Sequence, residues 1–151
     1  HFLFFKGHQQ GALQGAFVGG VDGQEGVTME IFENHTVAAV IKTAVECGGA
    51  AVAVPVKDTL KRTDEDGVII DTPDRTHLWR VQTPQVFDCD MLRAALWKAA
   101  DEGWAITDDA SACEKCGIKV AVCEGDRENF KITTPIDLAM AQMIMDKRSH
   151  I

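Results

Sequence analysis

Gly48-Gly-Ala-Ala-Val-Ala-Val-Pro-Val-Lys-Asp-Thr-Leu-Lys-Arg62 is the stretch on which the fold turns. Ala50–Val56 is a continuous apolar run. An alternating run would mark a strand with one wet face; an unbroken one marks a strand covered on both faces. Upstream, Val37, Val40, Ile41, Ala44 and Val45 fall on one helical face from Thr36 onward, and Gly48-Gly49 ends that helix. Downstream, Asp58–Arg62 and Val68–Asp71 are short extended pieces around the turn Asp64-Glu-Asp-Gly67, the signature of a hairpin or arm. Trp79–Val86 reads as a further strand, with Pro84 placing its end at a sheet edge or turn.

The remainder alternates in the same way. Met91, Leu92, Ala95, Leu96 and Ala99 make an amphipathic helix closed by Gly103. Thr107-Asp-Asp109 offers an N-cap for a helix over Ala110–Cys116, closed by Gly117. Ile118–Cys123 and Phe130–Thr133 read as short strands. Thr134-Pro135 opens a last helix to about Asp146, because proline at the first helical position gives up no needed N–H. Strands separated by helices predict an α/β fold with a mostly parallel sheet. Residues 1–26 stand apart. They hold seven of the 13 glycines and keep neither a helical nor a strand period, so they are expected to be loop-like. The organisation expected is an atypical Gly-rich segment, 1–26, followed by a single domain, 27–151.

Composition excludes several classes. The net charge is −8, from 15 basic and 23 acidic residues. Broad binding to nucleic acid or to an anionic membrane needs a basic face, which this balance does not supply. No apolar run approaches the roughly 20 residues of a membrane helix, and His1–Phe5 is too short for a signal-peptide core. The five cysteines, an odd number, read as free thiols in a reducing compartment, which suits a cytoplasmic location. Cys113-Glu-Lys-Cys116 is a lone C-x-x-C without a second ligand pair, and reads as structural thiols rather than a metal or redox site.

Polar residues gather where strands end. Thr59, Lys61 and Arg62 follow the central run, and Arg75 sits in Thr72-Pro-Asp-Arg75. Thr83 lies in Gln82-Thr-Pro-Gln85, Thr107 and Asp108 precede a helix, and Lys131 lies in Asn129-Phe-Lys-Ile-Thr-Thr-Pro135. Ligands of open α/β sheets bind beyond the carboxyl ends of the strands. Threonine hydroxyls, an arginine fork and a lysine point charge there would suit a phosphorylated polyol. Taken singly, Thr107 is a helix cap and Lys131 a solvated charge.

Taken together these blocks resemble a known family. Pro55-Val-Lys-Asp-Thr-Leu-Lys-Arg62, Asp71-Thr-Pro-Asp-Arg75, Leu78-Trp79 and Gln82-Thr-Pro-Gln-Val-Phe87 are similar, in order, to segments of the methylerythritol phosphate cytidylyltransferases. So are Thr107-Asp-Asp-Ala-Ser111, Glu124-Gly125 and Lys131-Ile-Thr-Thr-Pro-Ile-Asp-Leu138. The resemblance implies a Rossmann-like α/β nucleotidyltransferase domain, incomplete here, with a projecting β-arm at about 59–79. It implies condensation of CTP with 2-C-methyl-D-erythritol 4-phosphate, release of pyrophosphate, Mg²⁺ as cofactor, and a place in non-mevalonate isoprenoid precursor synthesis. It also implies a homodimer held through the arm, with a plastid location in a plant or alga. By motif, Arg75 and Lys131 hold the attacking phosphate, Thr59, Thr83 and Thr107 bind its polyol, and Asp108 supports them. A ribitol- or glycerol-phosphate cytidylyltransferase shares some of these blocks. A non-catalytic dimerisation fragment is the reading from another class.

The resemblance stops short at the nucleotide end. The family's Gly-rich loop of type A-A-G-x-G-x-R-M, with its following lysine, has no counterpart, and no Lys or Arg lies between Lys6 and Lys42. A triphosphate needs cations or backbone donors near it. Val21-Asp-Gly-Gln-Glu-Gly-Val27 is a degraded match to the family's H-D-x-x-R-P loop, with Asp22 at the metal-binding position. The chain is therefore expected to be an incomplete copy that does not form the nucleotide product alone.

Overall fold

The structure, a computed structural model, describes residues 2–4, 17–21, 27–30 and 34–149. The strands are β1 Phe2–Phe4, β2 Phe17–Val21, β3 Val27–Glu30, β4 Gly49–Pro55, β5 Arg62–Thr63, β6 Ile69–Asp71, β7 Trp79–Asp88, β8 Ala121–Glu124 and β9 Lys131–Ile132. The helices are α1 Asn34–Cys47, α2 Cys89–Asp101, α3 Asp109–Lys115 and α4 Pro135–Ser149. No described helix is long and apolar enough to cross a membrane.

The central run behaves as its composition requires. Every residue of β4 from Gly49 to Val54 is buried. Two apolar clusters cover its sheet. Val40 and Ala44 of α1 pack with Ala50, Val52 and Val86. Phe87 packs with Leu92, Ala95 and Ala99 of α2 and with Ala110, Ala112 and Cys113 of α3. Val86 and Phe87 are neighbours on β7 yet join different clusters, as side chains alternating across a strand must. Helix α1 ends where Gly48 takes a φ of +95°, a conformation that side-chain-bearing residues rarely adopt. Val45, on the expected apolar stripe of α1, is 59% exposed, so the buried face is narrower than the periodicity suggests.

The main sheet runs β1-β7-β4-β8. Among the described strands only β4 and β8 pair in parallel; β7 is antiparallel to both β4 and β1. The sheet is thus mixed, where a mostly parallel one was expected. The reason lies in the connections. A parallel partner needs a crossover: β8, the parallel partner of β4, is reached only after β7 and the helices α2 and α3. Between β4 and β7 the chain makes only the arm, so it returns beside β4 running the other way. The arm itself is the expected hairpin, with β5 and β6 antiparallel and shorter than their sequence pattern.

Three further expectations are revised. Pro84 does not end its strand: β7 continues to Asp88. Ala51 pairs with Gln85 but Ala53 with Val81, so Gln82, Thr83 and Pro84 bulge opposite Val52. A proline without an N–H is tolerated in such an irregularity. The strand expected at Ile118–Cys123 is β8, shifted to Ala121–Glu124, and only half-buried because nothing described pairs with its outer edge. Within residues 1–26, expected to be loop-like, β1 and β2 pair with β7 and β3. Those partners lie elsewhere in the chain and leave no local period to read.

Candidate functional site

The bulge in β7 opens a cavity of about 460 Å³. Its walls come from three parts of the chain: Arg80–Thr83 and Gln85 of β7, Thr107-Asp108 before α3, and Asn129-Phe-Lys131 leading into β9. Arg80 lies opposite Val54, at the carboxyl end of β4, and Gly125–Phe130 follow directly from β8. The cavity therefore sits beyond the ends of the parallel pair, where ligands of α/β sheets bind.

Each wall is fixed by hydrogen bonds. Asp108 is the N-cap of α3, its Oδ1 accepting from Ser111 N at 2.9 Å. Ser111 Oγ in turn accepts from Asp108 N and Thr107 N at 3.2 and 3.1 Å, a reciprocal capping box. The buried Gln85 reaches across, its Nε2 donating to Asp108 Oδ2 at 2.8 Å and its Oε1 accepting from Ala110 N at 3.0 Å. On the other side, Gln82 Nε2 donates to the carbonyls of Asp126 and Asn129 at 2.8 and 2.6 Å. Asn129 Nδ2 donates to the carbonyl of Thr83 at 2.7 Å. Gly125 fits this wall because any Cβ there would lie 2.4 Å from both Gln82 Oε1 and Val52 Cγ1.

Of the six residues to which the resemblance gives roles, the fold brings four to this cavity: Thr83, Thr107, Asp108 and Lys131. Arg75 and Thr59 are not among its walls. Both are exposed on the arm, where an Arg75 Nη1–Lys57 carbonyl hydrogen bond ties the arm's base. Lys61 Nζ to Thr72 Oγ1 at 2.7 Å and the Arg62–Asp71 ion pair at 3.2 Å hold the arm together. Sequence reasoning did not single out Gln82, Gln85, Asn129 or Arg80. A signal existed for the glutamines, since two amides in the span of a buried strand demand partners; Asn129 and Arg80 carried none.

The donor set of the cavity is suited to an anionic, hydroxylated ligand. Arg80 and Lys131 supply charge, and Thr83 and Thr107 supply hydroxyls. The cavity's described walls do not by themselves make a Mg²⁺ site: Asp108 is the one carboxylate among them, and each of its oxygens accepts a hydrogen bond. No group of three or more His, Cys, Asp or Glu side chains gathers among the described residues, and Asp22 lies outside them. The C-x-x-C pair is free: burial, followed by the nearby Asp109 charge, pushes the Cys113 thiol up to about 11. Such a thiol is packing, not a nucleophile.

Comparison with known proteins agrees with this chemistry. The pattern of one family, described as 2-C-methyl-D-erythritol 4-phosphate cytidylyltransferase, matches residues 28–147. A protein of that name from Nostoc sp. is 50% identical over 104 residues, covering 69% of this chain and 46% of the relative. One from Caldanaerobacter subterraneus is 51% identical over 107 residues, covering 71% and 47%. Among solved structures, the enzyme of that name from Thermus thermophilus superposes with a TM-score of 0.66 at 35% identity, covering 75% of this chain and 55% of that one. The 4-diphosphocytidyl-2C-methyl-D-erythritol synthase of Anaerococcus prevotii gives 0.71 at 29% identity, covering 76% and 53%. The chain spans about half the length of the curated relatives it matches.

Proposed function

Because the chain belongs to the 2-C-methyl-D-erythritol 4-phosphate cytidylyltransferase family, we propose that its cavity holds the polyol phosphate that attacks CTP. The carrying observation is the convergence of Thr83, Thr107, Asp108 and Lys131, from three separate stretches of the chain, on one cavity. In this reading Lys131 faces the phosphate, and Thr83 and Thr107 hydrogen-bond the polyol hydroxyls. Asp108 acts through its capping box, holding Thr107 in place. The phosphate oxygen attacks the α-phosphorus of CTP and pyrophosphate leaves. A phosphate monoester is a weak nucleophile beside another polyanion, so positioning and charge neutralisation supply most of the acceleration.

Arg75 and Thr59 enter this reading from a second copy of the chain. The arm that carries them exposes Val68, Ile69 and Ile70 at 61%, 57% and 62%, an apolar surface that water does not favour. A two-fold dimer that buries each arm on its partner delivers Arg75 to the partner's cavity. There its guanidinium and Lys131 clamp one phosphate. The CTP triphosphate and Mg²⁺ belong, in this reading, to the part of the family fold outside the described cavity, and turnover requires that part. The relatives named above carry the methylerythritol name, which favours that polyol over ribitol or glycerol phosphate.

Calorimetry tests the reading. The chain is expected to bind 2-C-methyl-D-erythritol 4-phosphate measurably and the dephosphorylated polyol at least tenfold more weakly. Equal affinity for the two, or no binding of the phosphate at millimolar concentration, removes the assignment.

A further inference from the structure

The cavity wall that carries Lys131 is attached to β7 by two side-chain amides that no reading of the site has used. Asn129 is 3% exposed, and its Nδ2 donates to the Thr83 carbonyl at 2.7 Å. Its own carbonyl accepts from Gln82 Nε2 at 2.6 Å, and the same Nε2 donates to the Asp126 carbonyl at 2.8 Å. The turn is closed by Asn129 N to the Asp126 carbonyl at 3.1 Å. Three cross-links thus join the backbone on either side of Thr83 to the backbone that enters Lys131.

The chemistry is specific to amides. Each link is an N–H aimed at a main-chain carbonyl, so a carboxylate or thioether of equal size supplies no donor. The orientation of Gln82 is set by the same logic: turning its amide over would aim an oxygen at two carbonyl oxygens. Among the described residues Gln82 Oε1, beside Gly125, is buried with no hydrogen-bond partner. A buried acceptor without a partner is costly, and it is retained here together with two short donor contacts. Lys131 itself is exposed, on a two-residue strand, and its long side chain cannot fix its own position.

We propose that Asn129 and Gln82 are positioning residues for the phosphate subsite, setting the Lys131 backbone against Thr83 so that ammonium and hydroxyl meet one ligand. The inference rests on the polyol-phosphate reading for its functional half and stands on geometry for the other. Two near-isosteric variants, Asn129→Leu and Gln82→Met, remove the donors and add no charge that would itself repel a phosphate.

Two measurements on the full chain test it. In amide hydrogen exchange, either variant is expected to speed exchange at least tenfold across residues 127–132 while the amides of β4 and α2 keep their rates. Unchanged exchange at 127–132 in both variants overturns the clamp, whatever the ligand. In calorimetry with 2-C-methyl-D-erythritol 4-phosphate and the bare polyol, the variants are expected to lose most of the preference for the phosphate and to keep their affinity for the polyol. Both ligands weakening alike would mean general loosening, and would overturn the positioning role. If the parent chain shows no preference for the phosphate, the polyol-phosphate reading fails, and the positioning role with it; a clamp seen only by exchange would then be structural.

Discussion

Gln85 and Asp108 face each other across the cavity floor, Gln85 Nε2 donating to Asp108 Oδ2 at 2.8 Å while Gln85 Oε1 accepts from Ala110 N at 3.0 Å. One amide therefore fastens both the cap and the first turn of α3 to the central sheet. It also engages the carboxylate oxygen that Ser111 N does not, so both oxygens of Asp108 are tied to the wall.

Gln85→Leu removes both links and leaves a carboxylate oxygen and a buried N–H without partners. The expected cost is about 1–3 kcal/mol of stability. A lower midpoint in urea unfolding, with unchanged slope, is the readout. Because Thr107 shares the capping box, affinity for the polyol phosphate should fall as well.

Lys131→Ala and Arg75→Ala, placed in a complete enzyme of the family, should each lower turnover by about 10²-fold, roughly 3 kcal/mol of barrier. Mixing the two inactive variants is more informative. If the arm serves the partner's cavity, a heterodimer keeps one intact site, and random pairing restores about a quarter of normal activity. No recovery on mixing would mean that Arg75 does not serve the partner's cavity, and would overturn the shared-site reading.

Gly125→Ala forces a Cβ to within 2.4 Å of Gln82 Oε1 and Val52 Cγ1. Neither neighbour is free to move, since Val52 is fully buried and Gln82 is held by two donor bonds. A destabilisation of about 1–3 kcal/mol is expected, visible as a lower melting temperature. A variant as stable as the parent would show that the wall is looser than its contacts imply.

Cys113 should resist alkylation. Its thiol is buried and held up near 11, so little thiolate exists at pH 8. The exposed Cys47 should react with iodoacetamide quickly, and Cys113 only when the chain unfolds. Mass mapping of labelled peptides over time separates the two.

The start of α4 should respond to acid. Asp137 Oδ2 accepts from Thr134 N at 2.8 Å, Thr133 N at 3.0 Å and Thr133 Oγ1 at 3.1 Å. The Thr133 amide, then the Thr134 hydroxyl, hold its carboxyl below the usual aspartate range. A carboxylate with a lowered folded pKa stabilises above its unfolded value, and that contribution disappears as pH falls through the folded one. The amide resonances of Thr133 and Thr134 should therefore titrate with a midpoint below that of a free aspartate. Asp137→Asn should abolish the titration.

Local pattern settled a good deal of this molecule. The unbroken run of β4, the glycine that stops α1, the arm's turn and the proline that opens α4 are decided by residues within a few positions of one another, and each sits where the sequence places it. Thr83, Thr107, Asp108 and Lys131 were identifiable as polar residues at element ends. What tertiary structure alone decided was direction and company. The antiparallel course of β7 follows from the absence of a helical crossover between it and β4, and its continuation past Pro84 depends on a bulge formed against Val52. The partners of Asn129 and Gln82 carry no local signal, because the carbonyls of Thr83 and Asp126 lie more than 40 positions away and every residue has a carbonyl. Hydrogen bonds to the main chain depend on where the backbone passes, and only the folded chain determines that.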